Sequence, residues 1–179
     1  MKVNLKSDYI KTIMFLILMM VSVFAFWYGL RTVLKTEYPL LAVASGSMTP
    51  TLEYGDLVLV QGGLNACNIK AAPKPEGDII VFRNPDDPDS LVVQRAIANI
   101  ACEGTLYFAA MGDNINDTVL QTVSEMDVIG RVVGKVPLLG RIFLFMQTSE
   151  GTLVIIVMIS IFMLIGHYAF SGKNKLGVK

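Results

Sequence analysis

Residues 41–56 read LAVASGSMTPTLEYGD, an apolar segment leading into two serines that flank a glycine. The apolar half favours a short strand, and Ser45, Gly46 and Ser47 favour a sharp polar turn at its end. A serine becomes a nucleophile only with a base within hydrogen-bond reach and with donors for the developing oxyanion. Alone, the turn is typical of a strand end, so a catalytic role requires further site residues elsewhere in the chain.

Two long uncharged segments flank the middle of the chain, at residues 12–30 and 152–170. A helix of about 20 apolar residues crosses the hydrocarbon core of a bilayer, and the first run is longer than the apolar core of a cleaved signal peptide. The sequence therefore predicts two transmembrane helices. The expected organisation is an N-terminal segment 1–11, transmembrane helices 12–34 and 151–171, an exterior domain 35–150 and a tail 172–179.

Basic residues lie outside both apolar segments. Three lysines precede the first segment and three follow the second, which predicts that both termini are cytoplasmic and that the middle of the chain is on the exterior or lumenal side. Residues 38–150 hold 13 Asp or Glu against 7 Lys or Arg, so this part is net acidic by 6. Nucleic-acid binding is not expected, because it requires a basic face.

The exterior part has many short apolar segments and no amphipathic helix pattern, which indicates a mainly β, compact all-β domain. Residues 62–77, 83–90 and 112–117 are predicted to be loops because they are rich in Gly, Pro, Asn and Asp. The apolar residues 137–146 are expected at the membrane surface. The predicted strands are residues 40–44, 56–61, 78–82, 91–100, 106–111 and 128–136.

Cys67 and Cys102 both fall in the exterior domain, where a disulfide is chemically permitted. The alternative is two independent cysteines, and the sequence leaves both open. The single histidine, His167, lies within the second apolar segment, and no Cys-x-x-Cys motif is present. A metal site is therefore not expected.

Five motifs in order resemble those of type I signal peptidases. They are SGSMTPTL at 45–52, GDIIVF at 77–82, VVQRAI at 92–97, MGDNIND at 111–117 and VIGRVV at 128–133. The second apolar segment and the short exterior domain are similar to the archaeal and endoplasmic-reticulum branch of the family. The resemblance implies a membrane-bound serine endopeptidase without a cofactor, which removes signal peptides from exported proteins after small residues at −1 and −3. The implied partners are signal peptides, the lipid bilayer and the protein-translocation machinery.

The resemblance also assigns roles to residues of the serine turn. Ser47 matches the nucleophile, and Ser45 matches a group that orients the site or stabilises the oxyanion. Met48 and Pro50 are expected along the substrate groove, where the peptide adds as a β-strand. In the MGDNIND loop, Asp117 matches the residue that orients the base, and Asp113 matches a structural or supporting position.

Gln94 departs from the family pattern. The residue before Arg95 is the general base in this family, a lysine in the bacterial branch and a histidine in the other. A carboxamide forms hydrogen bonds but does not accept the serine proton at neutral pH.

Three interpretations of Gln94 follow. It is a substitution in a working peptidase, or it marks a homologue that binds signal peptides, or forms part of a processing complex, without cleaving them. In the third interpretation Lys70 or Lys74 from the 62–77 loop replaces the base. The direction of Lys135, near the end of the last strand, is not predictable from the sequence.

Overall fold

The structure is a computed structural model that describes residues 5–102, 104–114 and 120–175. A seven-stranded antiparallel sheet carries the fold, with one helix before it and two after it. The helices are α1 (Leu5–Leu34), α2 (Leu139–Gln147) and α3 (Ser149–Lys175). The strands are β1 (Leu40–Ala42), β2 (Leu57–Gln61), β3 (Ile79–Asn84), β4 (Asp87–Cys102), β5 (Thr105–Met111), β6 (Gln121–Ser124) and β7 (Val128–Val136).

The strands are ordered β1-β2-β7-β3-β4-β5-β6. Alternating side chains on the strands bury one apolar cluster on each face, as expected for a period of two residues. One cluster contains Phe82 and Phe108, and the other contains Met48 and Leu52, which follow the serine turn. The turn is therefore anchored in a core by the residues directly after Ser47.

The predicted mainly β fold is confirmed, but residues 35–150 are not all β, because the apolar residues 139–147 form helix α2. Two further corrections concern single segments. Residues 83–90 are not a loop, because β3 continues to Asn84 and β4 begins at Asp87, so that only Pro85 and Asp86 form the turn. Pro88 fits within β4 because the β3–β4 register shifts there, and a proline at such an irregularity removes no ladder hydrogen bond. The strand β6 was not predicted, since its four residues QTVS are mostly polar and bury only Val123.

Part of α1, Ile13–Leu34, is long and apolar enough to span a membrane, and none of its most apolar window is buried. The second predicted span, residues 151–171, lies within the single helix α3 (Ser149–Lys175). Over the residues whose side chains the structure describes, Leu139–Gln147 and Ser149–Ile161 meet the same length and hydropathy criteria as a pair, bent by 90° at the break. Helix α1 is thus a candidate membrane span before the β domain, and the arrangement of the domain between two transmembrane helices stays a prediction.

The helix α2 begins directly against the loop that follows the serine turn. The Arg141 N–H donates to the Gly55 carbonyl (3.1 Å), and the Leu138 N–H donates to the Asp56 carboxylate (3.4 Å). A Cβ at Gly140 would lie 2.5 Å from the Asp56 carbonyl oxygen, so this close approach requires glycine.

Cys67 and Cys102 are both free and exposed. Of the two alternatives that the sequence left open, independent cysteines are the one observed.

Candidate active site

Backbone hydrogen bonds join Val43, just before the serine turn, to the end of the loop at Gly55 and Asp56. The Val43 N–H donates to the Asp56 carbonyl (2.8 Å), and the Gly55 N–H donates to the Val43 carbonyl (2.9 Å). Beyond this clamp, Ser45 Oγ and Ser47 Oγ lie 3.0 Å apart, within hydrogen-bond distance. The half-buried Ser47 is followed by Met48, which is 1% exposed. The nucleophile candidate is therefore fixed between a clamp and a core anchor.

The loop after β5 supports the turn from the side. The Asn114 N–H donates to the Ser47 carbonyl (2.9 Å), and Asn114 Nδ2 donates to the Gly46 carbonyl (3.1 Å). Asn114 was not singled out from the sequence, although it belongs to the MGDNIND motif at 111–117. Its contacts link this motif to the serine turn.

Asp113 is occupied by a buried ion pair. Arg95 Nε and Nη2 donate to the two carboxylate oxygens of Asp113 (2.7 and 2.6 Å), and the Thr51 hydroxyl donates to Oδ2. The Arg95 and Asp113 side chains are 4% and 2% exposed. Arg95 Nη1 also donates to the carbonyls of Pro75 and Gly77. This network joins the 62–77 loop, β4 and the segment after the serine turn, so Asp113 acts here as a structural group.

Burial acts to raise the pKa of Asp113. Hydrogen bonds from Arg95 and Thr51, together with the positive charges of Arg95 and Lys74, outweigh it and hold the pKa below its ordinary value. Asp113 is therefore ionised at neutral pH and is a poor proton acceptor for Ser47. Asp117, the other aspartate of the motif, lies outside the described residues.

Because the pKa of Asp113 is lowered in the folded state, the free energy of unfolding depends on pH in the acidic range. The ionised carboxylate stabilises the folded state above about pH 4, the ordinary pKa of aspartate, and this contribution is lost as the pH falls through the lower folded pKa. We expect the melting temperatures of the chain and of Asp113→Asn to differ most near neutral pH and to converge in acid. Thermal unfolding over a pH series measures this, and a difference that persists unchanged in strong acid would contradict it.

Gln94 occupies the predicted base position on β4, beside Ile80 of β3. The side chain is buried, with the residue 7% exposed, and Oε1 accepts no hydrogen bond from any described residue. Strand alternation puts Gln94 and Arg95 on opposite faces of β4. The base position thus holds a buried neutral amide with an unsatisfied oxygen.

The three lysines considered from the sequence have different surroundings. Lys70 Nζ forms an exposed ion pair with Glu76 at 2.7 Å. Lys135 Nζ donates to the Thr51 carbonyl (2.8 Å) and lies 3.7 Å from Asp56 Oδ2. Within the described residues, Lys74 forms neither an ion pair nor a hydrogen bond, and it lines a cavity that Asn114 also lines.

A groove of about 270 Å³ opens beside Ser47. It is lined by residues 41–45, 47–48 and 91–93, whereas the exposed Pro50 lies outside it. In the sheet that the described residues form, β1 is the first strand and has no partner on its outer edge, and residues 91–93 of β4 lie beyond the part that pairs with β5. The groove therefore runs between two free strand edges. Among the described residues, no cluster of three or more His, Cys, Asp or Glu side chains is suited to a metal ion.

The chain is similar in sequence to known signal peptidases. The sequence model of the family "Signal peptidase, peptidase S26" matches residues 7–105. The signal peptidase complex catalytic subunit SEC11C of Homo sapiens is 29% identical over 154 residues, which cover 82% of this chain and 76% of the relative. The signal peptidase complex catalytic subunit sec11 of Pyrenophora tritici-repentis is 30% identical over 139 residues, which cover 73% and 76%. The chain belongs to the signal peptidase family, peptidase S26.

Proposed function

We propose that this chain is a membrane-anchored serine endopeptidase that removes signal peptides from exported proteins, with Ser47 as its nucleophile. The observation that carries the proposal is the position of Ser47 in a groove between two free strand edges. An extended peptide pairs with such edges through its backbone, while alternate side chains enter shallow pockets. The small groove volume favours small side chains at −1 and −3.

The turn itself supplies donors for the oxyanion. Within the described part of the structure, the Ser47 N–H donates no hydrogen bond, and the Ser45 hydroxyl lies 3.0 Å from the Ser47 hydroxyl. We propose these two groups as the oxyanion donors. One such donor contributes about 10²–10³-fold to turnover in other serine peptidases. Ser45 therefore supports the reaction without being the nucleophile.

Among the described residues, neither Gln94 nor Asp113 accepts the proton of Ser47, because Gln94 is not a base and Asp113 is held by Arg95. We propose that the missing base limits the chemical step while substrate binding remains intact. We therefore expect the chain to bind signal peptides and to cleave them slowly. Asp117 is proposed as the residue that would orient a base restored at position 94.

The membrane arrangement is also a proposal. We propose that α1 crosses the bilayer, that α3 forms a second span, and that both termini are cytoplasmic. The 90° bend then places α2 along the membrane surface, where its exposed apolar side chains Ile142, Phe143, Phe145 and Met146 contact lipid. This arrangement would hold the groove on the exterior side, where the translocation machinery delivers its substrates.

The proposed activity is tested with the full chain in liposomes and a peptide that spans a signal-peptide cleavage site. We expect slow cleavage at one bond, after alanine at −1, identified by mass spectrometry over long incubation. A peptide with leucine at −1 should be cleaved at least about tenfold more slowly, because a pocket discriminates against added methylene groups. The Ser47→Ala variant sets the baseline, and cleavage that does not differ between these peptides would contradict the proposed specificity.

A further inference from the structure

A second cavity, of about 430 Å³, adjoins the serine turn through Asn114. Asn114 lines this cavity and also donates hydrogen bonds to the carbonyls of Ser47 and Gly46. The cavity and the groove are consecutive along β4. Residues 91–93 line the groove, and Arg95 and Ile97 line the cavity, so that position 94 lies between the two.

The walls of the cavity are largely apolar. Pro73, Ile97 and Met111 contribute apolar side chains, and residues 112–114, directly after β5, close the cavity. Met111 lies opposite Arg95 in the β4–β5 register. An apolar side chain of a bound peptide gains free energy when it leaves water for such a surface.

Counting only the residues that the structure describes, the cavity carries one positive charge without an ion-pair partner, that of Lys74. Arg95 is neutralised by the two-point ion pair with Asp113. Lys74 has no carboxylate partner within the described ranges, although it lies close enough to contribute to the lowered pKa of Asp113. The chemistry that complements the cavity is therefore an apolar side chain next to a carboxylate.

The geometry points to an occupant that continues from the groove. An extended peptide advances about 3.3 Å per residue, so the distance along β4 from Val93 to Ile97 corresponds to roughly four residues. If the residues before the scissile bond occupy the groove, as the proposed function requires, the residues after it reach the cavity.

We propose that this cavity binds the first residues of the mature segment and that Lys74 selects an acidic residue there. The inference rests on the proposed function, since it takes the substrate direction from it. It assigns to Lys74 a specificity role that differs from proton transfer. A base at position 74 would affect the turnover of every substrate equally, whereas a specificity residue changes the preference among substrates.

The test measures peptide binding to the full Ser47→Ala chain in micelles, by fluorescence anisotropy against protein-free micelles. One peptide ends at −1, and three others continue with leucine at +2 and with glutamate, glutamine or lysine at +3. We expect the glutamate peptide to bind about threefold more tightly than the glutamine peptide, in the range of exposed ion pairs. Lys74→Glu should reverse the order of the glutamate and lysine peptides, and Lys74→Gln should make their affinities equal.

Lys70→Gln is the matched control, because Lys70 lies in the same 62–77 loop but pairs with Glu76. It should leave the preference for glutamate unchanged. Equal affinity for the three extended peptides, or a preference that survives Lys74→Glu, would overturn the inference while the proposed function stands. Failure of all four peptides to bind, including the one that ends at −1, would overturn the proposed function and the inference together.

Discussion

Gln94→His is expected to raise cleavage of a signal-peptide substrate by about 10²–10⁴-fold, the contribution of a general base to proton transfer. The reason is that the nucleophile Ser47 is positioned, whereas the residue at the base position cannot accept a proton. Ser47 is held by Asn114 and lies beside Ser45, whereas position 94 carries a buried amide whose Oε1 has no donor among the described residues. An imidazole at this position would accept the serine proton. The gain is measured as kcat/KM in liposomes and should rise with pH through about 6–7, the range in which histidine loses its proton.

Gln94→Leu is the matched control, because it keeps a side chain of similar size without a basic nitrogen. It should stay at the level of the unchanged chain, and Ser47→Ala added to Gln94→His should remove the gain. A folded but inactive Gln94→His variant would contradict the missing-base explanation. If the unchanged chain instead cleaves rapidly and Gln94→Leu has no effect, the base lies elsewhere, and loss of that activity in Lys74→Ala would identify it.

The core strands were predictable because both faces of the sheet are covered there. Strands of this kind are short runs of apolar residues, which can be recognised in the sequence. β2 and β3 contain Val58, Val60, Ile80 and Phe82, all 0% exposed, and their patterns are visible in the sequence. β6 was not predictable, since only Val123 is buried and its polar residues are held by pairing with β5. Local composition predicted a loop at 83–90, but pairing between β3 and β4 overrides it and tolerates Pro88 at an irregular position.

The sequence predicted which residues belong to the site, but not which hydrogen bonds and ion pairs join them. The SGSM turn and Gln94 stand out because catalysis makes strict demands on a serine and its base. The Thr51–Asp113–Arg95 network joins residues up to 62 positions apart, and such distant partners are not evident from residue types. The lone charge of Lys74 is likewise a tertiary property, since Lys70 in the same loop pairs with Glu76.

Asp113→Asn is expected to destabilise the chain by about 3–5 kcal/mol, the cost of removing one partner of a buried ion pair. Arg95 is 4% exposed and donates to both oxygens of Asp113, so the variant leaves a buried guanidinium without a countercharge. For a chain of this size the loss corresponds to a fall in melting temperature of roughly 6–20 °C, measured by thermal unfolding in detergent. Asn114 follows Asp113 directly, so cleavage by a Gln94→His chain should fall as well when the loop loosens.

Glu76→Gln makes the same chemical change in an exposed ion pair with Lys70 and provides the comparison. Solvent already stabilises both of these groups, so the melting temperature should hardly change. The contrast separates burial from charge, because both variants remove one negative charge and keep the shape of the side chain. If Asp113→Asn lowers the melting temperature no more than Glu76→Gln, the Arg95–Asp113 pair does not hold the loop against the serine turn. The position of Ser47 would then depend on the backbone hydrogen bonds of Val43, the buried Met48 and the Asn114 hydrogen bonds, without a contribution from the ion pair.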